Sequence, residues 1–415
     1  MNGSTLERPD QVDPALPPPV RASLLARASG SVRYAIPALL AYIGVRAFGL
    51  AILAVWAWSR DDGLVRRLYS WDSLWYGKIA IYGYDQGLRS TGARPHGYSD
   101  LAFFPAYPML IRAAHVLTGL PVRPVAIGIA WVASLAAAWG IFKVADHLYG
   151  RRVGVFAALL WGVLPNAVIQ QMAYSESLFT AFAAWSLYSA VRKRWITAAL
   201  LAVLAGLTRP TGVAVAAAIS LAALVEIVRR LRRRFADGDS LGGLWHAALA
   251  IVLAPLGWFG YVAWVSYRLH RTNGYLLVQH SWKSDYDWHM PVFSWMAHLV
   301  LRARPVPLDF VSVSLMVGLG LVLLAITIVQ RQPIALITFS VVLLLIALGD
   351  HRYIWCEARF LLPAFPLLLP VARGLADAKH RATAYPIVAA AAVASAALSA
   401  NFLLLDVVNG QNYFP

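Results

Sequence analysis

Long apolar blocks set off by short basic clusters constrain this chain more than any other feature of its sequence. The blocks lie near 34–58, 122–145, 152–165, 175–191, 195–208, 211–228, 245–267, 310–329, 333–348, 359–373 and 384–405. A bilayer's hydrocarbon core takes about 20 residues of helix to cross. Inside it every backbone N–H and C=O must find a partner within the protein, so only helices or a closed barrel can span. The blocks show none of the strict alternation of barrel strands. The expected fold is therefore all-α, a polytopic integral membrane protein with about 11 transmembrane helices. Composition agrees: 60 % of the 415 residues are apolar and 13 % charged, against about 25 % charged in soluble domains.

A net charge of +16 raises the question of a nucleic-acid partner. The placement of the basic residues answers against it, because they stand at block ends as orientation signals do, and no basic soluble domain accompanies them. They fall in alternate loops: Lys143, Arg151 and Arg152; Arg192, Lys193 and Arg194; Arg229, Arg230 and Arg232 to Arg234; Arg331; then Arg373, Lys379 and Arg381. Residues 1–33 have no apolar signal region and read as a disordered cytoplasmic tail. The positive-inside rule then puts all these loops in the cytoplasm. Residues 34–405 form one transmembrane domain of the plasma membrane, and 406–415 a short extracytoplasmic tail. The lone Cys356 excludes an internal disulfide.

The outward loops differ in kind. One, about 59–121, carries Trp71, Trp75, Tyr76, Tyr82, Tyr84, Phe103, Phe104 and Tyr107; another, about 268–309, carries Trp282, Tyr286, Trp288 and Trp295. Such rings favour the membrane–water boundary. A helix starting near Ser70 would place Trp71, Leu74, Trp75, Ile79 and Tyr82 on one face, lying on the outer leaflet. Phe103-Phe104-Pro105 opens a second interfacial helix, proline suiting a first helical turn.

Charged residues on this same side are the candidates for chemistry. Asp72 falls in the first turn of the expected interfacial helix, where a carboxylate either steadies the helix start or takes a proton. Glu176, in Tyr174-Ser175-Glu176-Ser177, opens an inward-going helix and admits the same two readings. Arg209 sits in the Thr208-Arg209-Pro210-Thr211-Gly212 interruption, and Arg359 opens another helix from the same face, with Glu357 or Asp350 as its simplest ion-pair partner. Arg352 maps to this side as well. An arginine at the membrane edge is costly unless paired or hydrated, so it marks a site. Arg46 lies inside the first block without an evident partner. Carboxylates, arginines and aromatics gathered on one face suit a reaction at a lipid phosphate ester. A carboxylate would accept a hydroxyl proton, and an arginine would hold the departing phosphate. No His, Asp and Glu set has metal-ligand spacing, and Asp61-Asp62 alone is too little. No Gly-rich phosphate loop suggests a nucleotide-sugar donor.

Trp71-Asp72-Ser73 with Trp75-Tyr76 and Gly83-Tyr84, then Phe103-Phe104-Pro105 with Tyr107-Pro108, then Tyr174 to Phe179, then Arg209-Pro210-Thr211-Gly212 resemble, in that order, the PIG-V type of GPI mannosyltransferases. That family is one of the GT-C membrane glycosyltransferases. The resemblance runs from about 35 to 370 and is densest in the first half. It implies inverting transfer of a sugar, usually mannose, from a polyprenyl- or dolichyl-phosphate carrier at an extracytoplasmic site. It implies Asp72 as the acidic catalytic residue and matches Glu176 and Arg209 to further family positions; Glu176 is the second catalytic candidate, and Trp71, Tyr174, Arg209 and Arg359 are the candidates for binding substrate. The Ala- and Arg-rich composition looks bacterial, so the acceptor is left open among an envelope glycolipid, a glycan and a protein. The rival reading is a lipid or glycolipid transporter or flippase, which would pair charges at mid-membrane depth and show internal repeats.

Overall fold

Alanine and leucine dominate the apolar blocks, and both are strong helix formers. The computed structural model describes residues 24–61, 63–85, 98–237, 243–282, 308–349, 359–378 and 381–404 with a few isolated positions between, and among these the only regular structure is helical. Helix α1 spans Leu24–Trp58, α2 Leu64–Leu68, α3 Asp72–Tyr82, α4 Ala106–Thr118, α5 Val122–Tyr149, α6 Arg151–Gly162, α7 Glu176–Val191, α8 Trp195–Gly206 and α9 Gly212–Asp237. After these come α10 Leu244–Leu253, α11 Leu256–Arg268, α12 Gly274–Ser281, α13 Leu308–Val329, α14 Ile334–Gly349, α15 Leu369–Asp377 and α16 Arg381–Leu404. Arg352, Tyr286, Trp288 and Trp295, with the 406–415 tail, lie outside the described residues. Helix α1 starts at Leu24, inside the stretch read from sequence as tail.

Among the described residues six segments are long and apolar enough to cross a membrane: Gly30–Trp58, Val122–Tyr149, Gly212–Arg234, Leu244–Arg268, Val311–Val329 and Ala382–Leu403. The remaining five apolar blocks give shorter helices. Helices α6 and α8 have 12 residues each, or about 18 Å at 1.5 Å per residue, well below a bilayer's hydrocarbon thickness. Each stops where the sequence turns irregular, α6 at Val163-Leu164-Pro165 and α8 at Leu207 to Pro210. These early ends leave non-helical backbone inside the bundle, tolerated only where protein covers it.

The bundle is held by close approach of small residues. Helix α5 packs along α6 and α7, and α7 along α8, through a core in which Ala137, Ala138, Ala183, Ala184, Ala198 and Ala202 are buried. A Cβ on Gly206 would stand 2.7 Å from the backbone nitrogen of Trp258, and one on Gly257 would meet the carbonyl of Val203. Helices α8 and α11 thus cross at backbone contact, as small-residue interfaces permit.

Helices α3 and α4 occupy the expected interfacial segments, but α3 buries a different face. Ser73, Tyr76, Gly77, Ile79 and Ala80 point inward, whereas Leu74 is 57 % and Tyr82 78 % exposed. The reason is that α3 packs against α4 and α5. Tyr76 sets its ring edge-on to Tyr107 and Phe103 at 5.0 and 5.1 Å, and the apolar residues left outside are those a membrane surface would cover.

Candidate active site

Helix directions explain why distant residues meet. Helix α7 starts at Glu176, runs away and turns back at Arg192 to Arg194; α8 returns; and the turn at Arg209 lies beside the start of α7. Asp72 opens α3, and Arg359 follows α14. Four charged residues from four segments therefore gather at one end of the bundle.

Arg359 is the hub. Its Nη2 lies 2.6 Å from Asp72 Oδ2 and 2.7 Å from Glu176 Oε1, and its Nε donates to the same Glu176 oxygen at 2.7 Å. Arg209 Nη1 reaches that oxygen at 2.7 Å from the other side and donates to Ser175 Oγ at 3.1 Å. Ser175 is in turn 2.7 Å from the Tyr76 hydroxyl. The Arg359 guanidinium lies over the Tyr174 ring, 4.5 Å from its centroid, a cation–π contact that also bars water from that side. Among the described residues the cluster pairs two carboxylates with two guanidiniums, and buried charge needs such pairing.

The two carboxylates differ in surroundings. Glu176 is 2 % exposed and clamped by both arginines, while Asp72 retains 18 % exposure. The second Glu176 oxygen, Oε2, and the Tyr174 hydroxyl are buried without a side-chain partner. Asp72 is preceded by Trp71 at φ 49°, ψ −114°, a left-handed conformation for a bulky residue. Strain of this kind persists where the surroundings fix it, and gathers at functional sites.

Asp72, Glu176, Arg209, Arg359 and Tyr174 are thus brought together. Trp71 adjoins them through Asp72, but its ring rests on Phe402 of α16 at 5.9 Å. The partners expected for Arg359, Glu357 and Asp350, lie outside the described residues; Arg359 itself is 4 % exposed and not a surface pair. Arg46 finds its partner in Gln171, whose side-chain oxygen accepts from Nε at 2.8 Å and also from Nη2, with the Gly162 carbonyl accepting from Nη1 at 3.1 Å. The adjacent Gln170 accepts from Tyr42 at 2.9 Å. Ser175 and Tyr76 stand in the quoted motifs, but the sequence assigns no contact to them or to this glutamine pair; two successive glutamines just before a helix start, in so apolar a chain, are the available signal. Among the described residues no three His, Cys, Asp or Glu side chains converge as metal ligands.

The segment that Arg359 opens goes on to line an apolar cavity of about 330 Å³. It is bounded by α13 through Ser312, Met316 and Gly320, by Leu164 and Pro165, and by Leu361, two residues beyond Arg359. It is open to one side of the bundle where Leu315 and Leu319 are exposed.

No family model matches the sequence, and no curated protein matches it. Solved structures resemble it loosely. The crystal structure of ArnT from Cupriavidus metallidurans bound to undecaprenyl phosphate is 16 % identical, with a TM-score of 0.49 over 82 % of this chain and 61 % of that one. The apo oligosaccharyltransferase of Archaeoglobus fulgidus is 14 % identical, with a TM-score of 0.46 over 87 % of this chain and 56 % of that one. The Archaeoglobus fulgidus oligosaccharyltransferase AglB, in complex with an inhibitory peptide and a dolichol-phosphate, is 13 % identical, with a TM-score of 0.45 over 91 % and 56 %. The chain thus spans about three fifths of the length of the ArnT structure it resembles.

Proposed function

We propose that this chain is an integral membrane glycosyltransferase that moves a sugar from a polyprenyl-phosphate carrier to an acceptor hydroxyl with inversion. The observation that carries the reading is the joint placement of Asp72 and Glu176 around Arg359, next to an apolar cavity lined from the same segment. The cavity suits the prenyl chain, and the arginines suit the phosphate. Asp72, the more exposed carboxylate, is the base. Glu176, clamped on both sides, positions the two guanidiniums and takes no proton.

The arrangement supplies a sequence of events. Substrate-free, Arg359 holds Asp72. A carrier phosphate entering beside Arg359 competes for the same Nη2 and loosens Asp72 to face the acceptor. The acceptor oxygen then attacks the anomeric carbon from the side opposite the phosphate, and its proton passes to Asp72. The bond from the anomeric carbon to the phosphate oxygen breaks, and its electron pair stays on the phosphate. Asp72 loses one negative charge as the phosphate gains one, so the total charge around the arginines is constant through the step. Fixed donors aimed at the developing charge are then worth more than they would be in water.

On the family resemblance the sugar is mannose. The acceptor is an envelope glycolipid, a glycan or a protein, and the site faces out of the cytoplasm, because the basic loops lie at the other helix ends. The transporter reading finds less support: the ion pairs that would matter form at helix starts, and the mid-helix Arg46 is partnered by a glutamine.

The test is Asp72→Asn in membranes given labelled polyprenyl-phosphate mannose. Transfer should fall by about a hundredfold or more, the usual worth of a positioned base, with donor binding kept. Undiminished transfer removes Asp72 from that position.

A further inference from the structure

Trp161, at the end of α6, stands between the two segments that meet in the charged cluster. Its indole Nε1 donates to the Leu362 carbonyl at 3.0 Å, and the Leu362 amide bonds back to the Arg359 carbonyl at 3.3 Å. Its own carbonyl accepts from Gln170 Nε2 at 2.8 Å. The Gln170 carbonyl in turn accepts from Ser177 Oγ at 2.8 Å, and Ser177 follows Glu176 directly. With the Arg359–Glu176 pair at 2.7 Å, these bonds close a ring that runs from Glu176 through Ser177, Gln170, Trp161 and Leu362 to Arg359 and back.

Helix α1 fixes the ring a second time. Tyr42 stacks on Trp161 with centroids 5.3 Å apart and planes 17° from parallel, and its hydroxyl donates to Gln170 Oε1 at 2.9 Å. The Trp161 carbonyl can only accept, so the Gln170 amide has one orientation. Gln170 and Trp161 are each 1 % exposed, and a buried network whose members are all bonded is stiff. Such stiffness matters here because the chain between α6 and α7 holds only the short 3-10 turn Ala167–Gln170. Side chains, in place of a helical ladder, set where Glu176 begins.

The ring has one ionic link, and a carrier phosphate that takes Arg359 Nη2 weakens it. The other links end on backbone carbonyls, for which an anion does not compete. We infer that Trp161 and Gln170 are positioning residues: they keep the Arg359 and Glu176 segments at a fixed separation while phosphate replaces carboxylate on the guanidinium. The kinetic consequence rests on the transferase reading; the structural one does not.

Trp161→Phe keeps a ring against Tyr42 and deletes the donor to Leu362. Trp185→Phe makes the same change elsewhere on the bundle, where an indole donates to the Ala136 carbonyl at 3.0 Å. The full chain in detergent micelles is assayed for transfer from polyprenyl-phosphate mannose, well below the melting temperature of the least stable variant. Amide hydrogen exchange is followed in parallel in the peptide covering 359–368. Trp161→Phe should lower kcat about tenfold, since a misplacement of about 1 Å can cost about a hundredfold. KM for the donor should move about threefold at most, because the lost interaction is one that strengthens as charge develops on the phosphate. Exchange in 359–368 should rise, and Trp185→Phe should change neither kcat nor that exchange. Tyr42→Phe, which removes one hydroxyl and no packing, should lower kcat by less and repeats the test if Trp161→Phe does not fold. An unchanged kcat, or a fall as large in Trp185→Phe, overturns the positioning role. So does exchange in 359–368 that stays at the wild-type rate. If the wild type transfers no sugar, the transferase reading has failed, and the exchange alone decides whether Trp161 holds the Arg359 segment.

Discussion

Glu176 shows how much one side chain can organise. Its Oε1 accepts from two arginines drawn from two separate segments that follow it in sequence, and removing its charge leaves both guanidiniums buried against each other. Glu176→Gln should therefore destabilise the protein by roughly 3–5 kcal/mol, the usual penalty for breaking a buried pair. Asp72→Asn, at the more exposed end, should cost about 1 kcal/mol. Thermal unfolding of the two variants in the same detergent checks the order, and equal losses would refute the clamp. Asp72, Glu176, Arg209 and Arg359 were all readable in sequence, because charge is rare in so apolar a chain and each stands at a helix start or turn. Their mutual distances were not. Nothing local says that Arg359 reaches a carboxylate 287 positions away. The left-handed Trp71 was equally hidden, since tryptophan carries no signal for that conformation.

Elements were the most legible level, since a block of Ala, Leu and Val bounded by Pro, Gly or a basic cluster declares a helix and its ends. Pro255 divides the 245–267 block into α10 and α11, where a missing N–H breaks the ladder. The inward face of α3 could not be read, because on a helix covered by protein on one side and membrane on the other both faces are apolar. Periodicity then loses its meaning. Helix crossings depend instead on single glycines. Gly257→Ala puts a methyl against the Val203 carbonyl and should cost roughly 1–3 kcal/mol, as overpacking does. Gly260→Ala on the same helix meets nothing within 4 Å and should stabilise slightly, by its helix propensity. Melting temperatures of the pair make the comparison, and a Gly257→Ala no less stable than Gly260→Ala would show that α8 and α11 do not meet as described.

At the scale of the whole molecule, the apolar cavity and the charged cluster share the segment that follows Arg359, so prenyl chain and phosphate would be gripped by one stretch of backbone. Filling the cavity with Met316→Trp should raise KM for a long-chain donor about tenfold or more, by displacing contacts worth about 0.8 kcal/mol per methylene. A donor with a short, water-soluble prenyl tail should be spared. Equal effects on both donors would separate the cavity from the carrier. Apolar blocks shorter than a bilayer already imply helices that end early and leave a cavity; its place and lining are not legible, because they depend on how α13 leans on its neighbours. As the chain leaves the ribosome, both carboxylates enter the bilayer long before the guanidinium that joins them exists, so no nascent chain halted before Arg359 carries the assembled cluster. The cluster closes only when the helices that precede Arg359 have already been made.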